Sequence, residues 1–227
     1  MNRTTVAAAF LTAVVCLPPA AGAGDNERIH ALQARTYPLA LRHDITPWFA
    51  VTLNDHNTSH IGGGLSYAFH LNEGFALQLD GLFFSSKNSS YSDEMYQLQV
   101  SPVGATRMRM NYWGGMNLVW YPIYGKFDFL SLFVAHFNVY LLGGGGVVGT
   151  SFYNYYVGET EKIDSSLFAG SLGGGFQIFI IKYLDLKFEI RDILFTAHLP
   201  PGYNATPENS SATKNELMFM IGLGVLL

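Results

Sequence analysis

Apolar and polar residues alternate along most of this chain, most clearly between Met108 and Thr150. In the first half of that stretch Met110, Tyr112, Gly114, Met116, Leu118 and Trp120 share one parity. Arg109, Asn111, Trp113, Gly115 and Asn117 hold the other. In the second half Phe133, Ala135, Phe137, Val139 and Leu141 alternate with His136, Asn138 and Tyr140. A period of two means extended chain with one apolar and one polar or small face. The stretch therefore predicts two long strands joined by the turn Tyr124-Gly125-Lys126-Phe127-Asp128.

The same period recurs on both sides. A first strand is expected from Leu39 to Asn54, with Ile45, Phe49, Val51 and Leu53 in step and Pro47 marking an irregular or bulged start. After the link Asp55–Ser59, a second runs from His60 to Leu71, setting Ile61, Leu65, Tyr67, Phe69 and Leu71 against glycines, Ser66, Ala68 and His70. Asn72-Glu73-Gly74 reads as a tight turn into a third strand, Phe75–Ser85, with Gln78 and Asp80 on its polar side. A polar segment, Ser86–Arg107, leads to the hairpin just described, and a second long loop is expected over Ser151–Ser165. The sixth strand is Ser166–Ile181, followed by the turn Lys182–Asp185. In the seventh, Leu186–Leu199, strict alternation places Asp192 on the apolar face. A bulge at Arg191-Asp192 would instead keep Ile193, Phe195, Ala197 and Leu199 there. A third long loop, Pro200–Lys214, precedes a last strand carrying Leu217, Phe219, Ile221, Leu223, Val225 and Leu227 in register.

Eight strands with short turns at one end and long loops at the other predict an all-β fold: an eight-stranded antiparallel up-and-down transmembrane β-barrel. Two other readings fit the hydropathy less well. The apolar run Phe129–Val148 has about the length of a spanning helix, but His136 and Asn138 sit two apart within it and four glycines follow. A soluble, lipocalin-like barrel would need its polar parity to be a solvated surface, and that parity carries mostly Gly, Ser, Ala and Asn. Aromatic residues also gather at both predicted strand ends: Tyr37, Trp120, Tyr121, Tyr124 and Tyr183 at one, Phe83, Phe84, Phe152 and Tyr153 at the other. Two such belts suit two membrane interfaces.

Composition agrees and adds a compartment. Charged residues are 13% of the chain, against about 25% in typical soluble domains. The formal net charge of −4 gives no support for nucleic-acid binding. Residues 1–23 have the form of a secretory signal peptide: Arg3 in a short leading region, an apolar core from Val6 to Leu17, and Ala21-Gly22-Ala23 as the cleavage pattern. The single cysteine, Cys16, lies inside that core and would leave with it, so disulfide and thiol chemistry are not expected in the mature chain. Residues 24–38 read as a periplasmic lead and 39–227 as the barrel.

Eight strands leave an interior only wide enough for side chains. Asp80, Arg109, His136, Lys187, Glu189 and Arg191 are the candidate interior charges, with Asn111, Asn117, Asn138 and Gln177 as polar partners. Unpaired buried charge is expensive, so a packed polar network is expected here rather than an ion path. The chain resembles the small outer-membrane β-barrel domain proteins of deltaproteobacterial type, with the OmpA-like eight-stranded barrel as broader relative. The likeness rests on Gln33-Ala34-Arg35-Thr36-Tyr37, Asn54-Asp55, Tyr121-Pro122-Ile123-Tyr124-Gly125-Lys126, His136-Phe137-Asn138 and Glu189-Ile190-Arg191-Asp192. It implies fold and location, and brings no catalytic residues.

For chemistry, His198 with Glu208 or Ser210 is the best hydrolytic grouping, and His56 and His60 flank Ser59, but nothing orders either set into nucleophile, base and orienter. Two histidines on a short link, without a third ligand at suitable spacing, do not define a metal site. No cofactor site is visible. Tyr91, Tyr96, Tyr153, Tyr155, Tyr156 and Tyr203, among Ser, Asn and Gly, have the composition of adaptable contact loops. The expectation is a structural or interaction barrel in outer-membrane lipid, docking an envelope protein partner through loops or turns. The alternatives are a narrow solute or ion channel and a rim-sited hydrolase.

Overall fold

The computed structural model describes residues 36–55, 58–88, 107–129, 133–156, 159–198 and 211–227. Every regular element among them is a strand: β1 (His43–Thr52), β2 (Thr58–His70), β3 (Phe75–Asn88), β4 (Arg107–Phe129), β5 (Phe133–Tyr156), β6 (Glu159–Ile181), β7 (Leu184–His198) and β8 (Ser211–Leu226). Each pairs antiparallel with its neighbour in sequence, and β1 also pairs with β8, so the sheet closes as a barrel in chain order. The eight-stranded antiparallel fold is the one the alternation predicts. The run Phe129–Val148 is largely β5, and among the described residues no helix is long and apolar enough to cross a membrane.

Closure happens beside a proline. Val51 faces Ile61 on one side and Phe219 on the other, which locks first strand to last. The β1–β8 ladder omits Thr46 and Pro47, so the missing proline N–H falls where no bond is formed.

Alternation assigns the faces. Outward side chains are apolar on every strand: Phe49, Leu65, Leu79, Met116, Leu141, Leu172, Ile190 and Leu223 are all exposed, and Phe168 is 90% so. Glycines on the inward parity give room to large neighbours. A Cβ on Gly115 would lie 2.4 Å from the Trp113 ring, one on Gly222 2.7 Å from Trp48, and one on Gly175 2.3 Å from Tyr140.

The strands differ from the sequence reading in four places. The expected turn at 124–128 is strand: β4 continues to Phe129 and Tyr124 pairs with Asn138, after a register shift between Trp120 and Ile123 around Pro122. The expected loop 151–165 is largely strand as well, since β5 and β6 stay paired out to Tyr156 and Glu159. A second register shift, between Met110 and Tyr112, makes Asn111 the extra residue of a bulge. It turns Met108 and Met110 inward, both at most 5% exposed, and puts Arg109 on the opposite parity. Finally, β7 has no bulge at Arg191-Asp192: both ladders run through it in constant register. Ile193, Phe195 and Ala197 are therefore buried inside and Asp192 lies on the outward parity, opposite Leu172 and Leu217.

The chain before β1 is also part of the barrel. Leu39, expected to begin a strand, is fully buried against Phe179 and Leu226 at the end of the barrel that holds the short turns. Its N–H and that of Ala40 donate to the Glu73 carboxylate at 3.1 Å. Tyr37 stacks on Phe179 with ring centroids 5.2 Å apart, so Tyr37 and Leu39 together cap that mouth.

Candidate functional site

The interior is layered, and the layers follow from which residues fall on the inward parity of each strand. Nearest the capped mouth, β1 contributes Asp44 and Thr46, β2 His70, and β7 Asp185 and Lys187. The Lys187 ammonium donates to Asp44 Oδ2 at 2.5 Å and to Thr46 Oγ1 at 2.9 Å, and lies 3.9 Å from Asp185. His70 Nε2 is 3.7 Å from the same Asp44 carboxylate. The next layer centres on Arg191, whose side chain is fully buried. Its guanidinium donates to Glu189 Oε1 from Nε at 2.7 Å and to Asp80 Oδ2 from a terminal nitrogen at 2.8 Å. Gln78 and Asn117 amides donate to Asp80 at 2.8 and 2.5 Å, and the Tyr140 hydroxyl donates to Glu189 at 2.9 Å. Ser171 donates to Asn117 Oδ1.

These contacts explain how so much charge stays inside. Each carboxylate of the Arg191 layer has a cationic partner and at least one neutral donor, the arrangement that lets a buried ion pair persist against its desolvation. Above it the interior turns apolar. Trp48, Leu82, Met108, Met110, Trp113, Ile193, Phe195, Met218 and Met220 form one buried cluster in the half of the barrel away from the cap. Beyond that cluster lie His60, Asp55 and Glu216, at the other mouth.

The sequence-predicted residues divide accordingly. Asp80, Asn117, Glu189 and Arg191 belong to one hydrogen-bonded cluster, and Lys187 to its neighbour. Asn138 donates to Gln177 at 3.0 Å nearer the capped mouth. Three residues are elsewhere, Asn111 among them, in a recess on the outer wall. His136 is not among the buried charges: its Nε2 is 3.1 Å from Thr36 Oγ1, and Tyr37 meets its ring edge-on. Arg109 is turned out of the interior by the bulge at Asn111. Tyr153, Tyr155 and Tyr156 stand on β5, paired with Lys162, Thr160 and Glu159, rather than in a loop. Tyr91, Tyr96 and Tyr203, and the groupings that use His56, Glu208 or Ser210, lie outside the described residues.

Sequence reasoning missed Asp44, His70, Asp185 and Tyr140. His70 and Tyr140 were already on the inward parity. Asp44 was hidden by Pro47, which made the strand start look irregular, and Asp185 by being counted as turn.

One polar recess lies on the outer wall, where β4, β5 and β6 run on past the apolar band. It has a volume of about 280 Å³ and is lined by Asn111, Tyr112, Thr150, Lys162, Asp164 and Ser166 among others. The bulged Asn111 donates to Ser151 Oγ at 2.5 Å, and Ser151 donates to Asp164 Oδ1 at 2.6 Å. Lys162 closes on the other Asp164 oxygen at 3.0 Å. The Ser151 hydrogen bond, then that of Lys162, holds the Asp164 carboxyl below the usual carboxylate range. The polar groups of this recess are satisfied by one another.

No protein-family profile matches the chain, and no curated protein matches it in sequence. Solved structures do. The N-terminal β-barrel domain of Pseudomonas aeruginosa OprF aligns at 10% identity and a TM-score of 0.47, over 83% of this chain and 98% of that one. The attachment invasion locus protein Ail of Yersinia pestis aligns at 13% identity and 0.44, over 83% and 99%. The outer membrane protein OprG of Pseudomonas aeruginosa aligns at 14% identity and 0.41, over 84% and 98%.

Proposed function

We propose that this protein is an integral outer-membrane barrel with a structural or interaction role, exported by residues 1–23 acting as a cleaved leader. The observation that carries the reading is the outward face. Strand after strand, a closed sheet exposes large apolar side chains while its charges are paired inside. In water such a surface would drive association, because monomeric soluble proteins seldom expose contiguous apolar patches beyond a few hundred Å². In lipid it is the stable arrangement, since a closed barrel leaves no backbone group unpaired. The turns 71–74 and 182–183 then face the periplasm, together with the cap, and the opposite ends of the strands, at Asn88, Arg107, His198 and Ser211, face outward. With a filled interior, the work falls to the two ends, which dock envelope partners.

Two measurements test the two halves of the proposal. Unboiled protein from outer-membrane fractions should migrate faster than boiled protein and resist carbonate extraction; a single band with release into the wash removes the membrane reading. Photocrosslinkers at Lys126, on the turn-end extension, and at Asn54, beside the opposite mouth, should capture discrete adducts in native envelopes. Crosslinking to lipid alone at both positions, in a barrel that passes the first test, removes the docking role.

A further inference from the structure

At the mouth opposite the cap three side chains from separate segments converge. Asp55 comes from the β1–β2 link, His60 from β2 and Glu216 from β8, with their ligand atoms all within 4.8 Å of one another. His60 is fully buried and Glu216 is 4% exposed.

The hydrogen bonds around His60 fix what its ring presents. Ser86 donates its hydroxyl to the Met110 carbonyl at 3.2 Å. That hydroxyl oxygen lies 2.6 Å from His60 Nδ1, so it must accept there and Nδ1 carries the proton. In the neutral ring this leaves Nε2 as a bare acceptor, buried without a hydrogen-bond partner and 3.4 Å from Asp55 Oδ2. A lone pair facing a carboxylate at that distance calls for a positive charge between them. Asp55 is oriented for the same point, since its Oδ1 accepts the Thr58 N–H at 3.2 Å. Glu216 Oε2 is buried and has no hydrogen-bond partner.

A proton on Nε2 would face Asp55 and leave the buried Glu216 Oε2 unanswered. A divalent cation answers both, and the donor set of one imidazole and two carboxylates suits a first-row transition ion better than Mg²⁺ or Ca²⁺, which take oxygen ligands. Ligands about 2.0–2.1 Å from a tetrahedral Zn²⁺ stand roughly 3.4 Å apart, the separation His60 and Asp55 already have. We propose that Asp55, His60 and Glu216 form a binding site for a divalent transition ion of the Zn²⁺ class at the mouth opposite the cap. Ser86 is its positioning residue: it sets the tautomer and aims Nε2, as outer-shell partners of metal-bound histidines do. The ion would tie the β1–β2 link to β8, bracing the seam at which the barrel closes.

The test uses the untagged protein folded in micelles and stripped with chelator. Titration with Co²⁺ should give visible absorption that saturates at one ion per barrel and is bleached by Zn²⁺, and Zn²⁺ should raise the unfolding temperature. His60→Gln and Glu216→Gln should each weaken binding by about a hundredfold or more, and Ser86→Ala by about 10-fold. Heat-modifiable migration reports whether each variant is folded. Because Ser86→Ala and Glu216→Gln leave the imidazole in place, they carry the test if His60→Gln does not fold. The proposal is overturned if folded wild-type protein binds Co²⁺ and Zn²⁺ no more tightly than folded Glu216→Gln, or if binding leaves the unfolding temperature unmoved.

Discussion

Replacing Arg191 by alanine is the most informative single change, because it separates a paired interior from a merely polar one. The guanidinium is completely buried and contacts two carboxylates that are themselves buried, Glu189 and Asp80, at 2.6–2.8 Å. Truncation would leave two negative charges facing each other with only Tyr140, Gln78 and Asn117 as donors. Breaking a buried pair by removing one partner costs about 3–5 kcal/mol. With a urea slope of about 2 kcal/mol/M, the unfolding midpoint should fall by roughly 1.5–2.5 M. Tryptophan emission is a suitable reporter, since Trp48 and Trp113 are inside the barrel and Trp120 is 47% exposed on its outer face. The informative control removes the charges together: Arg191→Met with Asp80→Asn and Glu189→Gln should return to within about 1 kcal/mol of the parent, because a buried ion cluster is often replaceable by neutral groups of similar volume. The reasoning fails if Arg191→Ala loses less than about 1 kcal/mol, or if the triple variant is no more stable than the single one.

Other predictions address the outer face, the backbone, the cap and the recess. Met116→Arg, at the middle of the outward row of β4, should destabilise the vesicle-inserted barrel by about 2–4 kcal/mol; a soluble barrel would show a change within about 0.5 kcal/mol in the same denaturation experiment. Gly144→Ala would place a Cβ 2.0 Å from the Met116 carbonyl and 2.7 Å from the Asn117 backbone, so a loss of about 1–3 kcal/mol is expected. Gly81→Ala, with nothing within 4 Å, should fall within about 0.5 kcal/mol of the parent. Glu73→Ala removes the acceptor for Leu39 and Ala40, and their amide protons should exchange faster while those of β7 do not. Ser151→Ala should raise the Asp164 titration followed by carboxyl carbon shifts. Because that pKa is depressed, whatever Asp164 contributes is present at neutral pH and lost as pH falls through its native value.

Strand number, order and facing were legible because a sheet with one apolar and one small or polar face must alternate, and a one-residue slip turns a strand's whole apolar set to the other side. What the alternation could not locate was where it is broken. A bulge was expected at Arg191-Asp192, where the pattern faltered, to spare Asp192 an outward position. The strand instead keeps its register, and Asn215 donates to Asp192 at 3.5 Å on the outer face. A bulge that does exist, at Asn111, fell where both parities look plausible, because methionine suits either side. That displaced Arg109 from the predicted interior. The polar network was half visible: single charges on an otherwise small-residue parity pointed to Asp80, Lys187, Glu189 and Arg191. Asp44 and Asp185 were obscured by the turn and proline signals beside them. The grouping at the opposite mouth was only partly visible: Asp55 and His60 stand on or beside one short link, but Glu216 is distant in sequence and joins them only when β8 closes on β1.

The layering of the interior has a consequence for leakage. The charged section near the cap and the methionine–tryptophan section above it resist passage by unrelated means: one by ion pairs that must separate, the other by dewetting, since its apolar walls give a water chain nothing to bond to. Standing in series, they multiply. A substitution that loosens the Arg191 cluster leaves Trp48, Trp113 and Met220 dry, and one that trims a tryptophan leaves the salt bridges shut. Arg191→Ala should therefore weaken the barrel without making it conduct, and steady openings should require simultaneous changes in both sections. Either section can then vary over evolutionary time while the other keeps the barrel closed to passage.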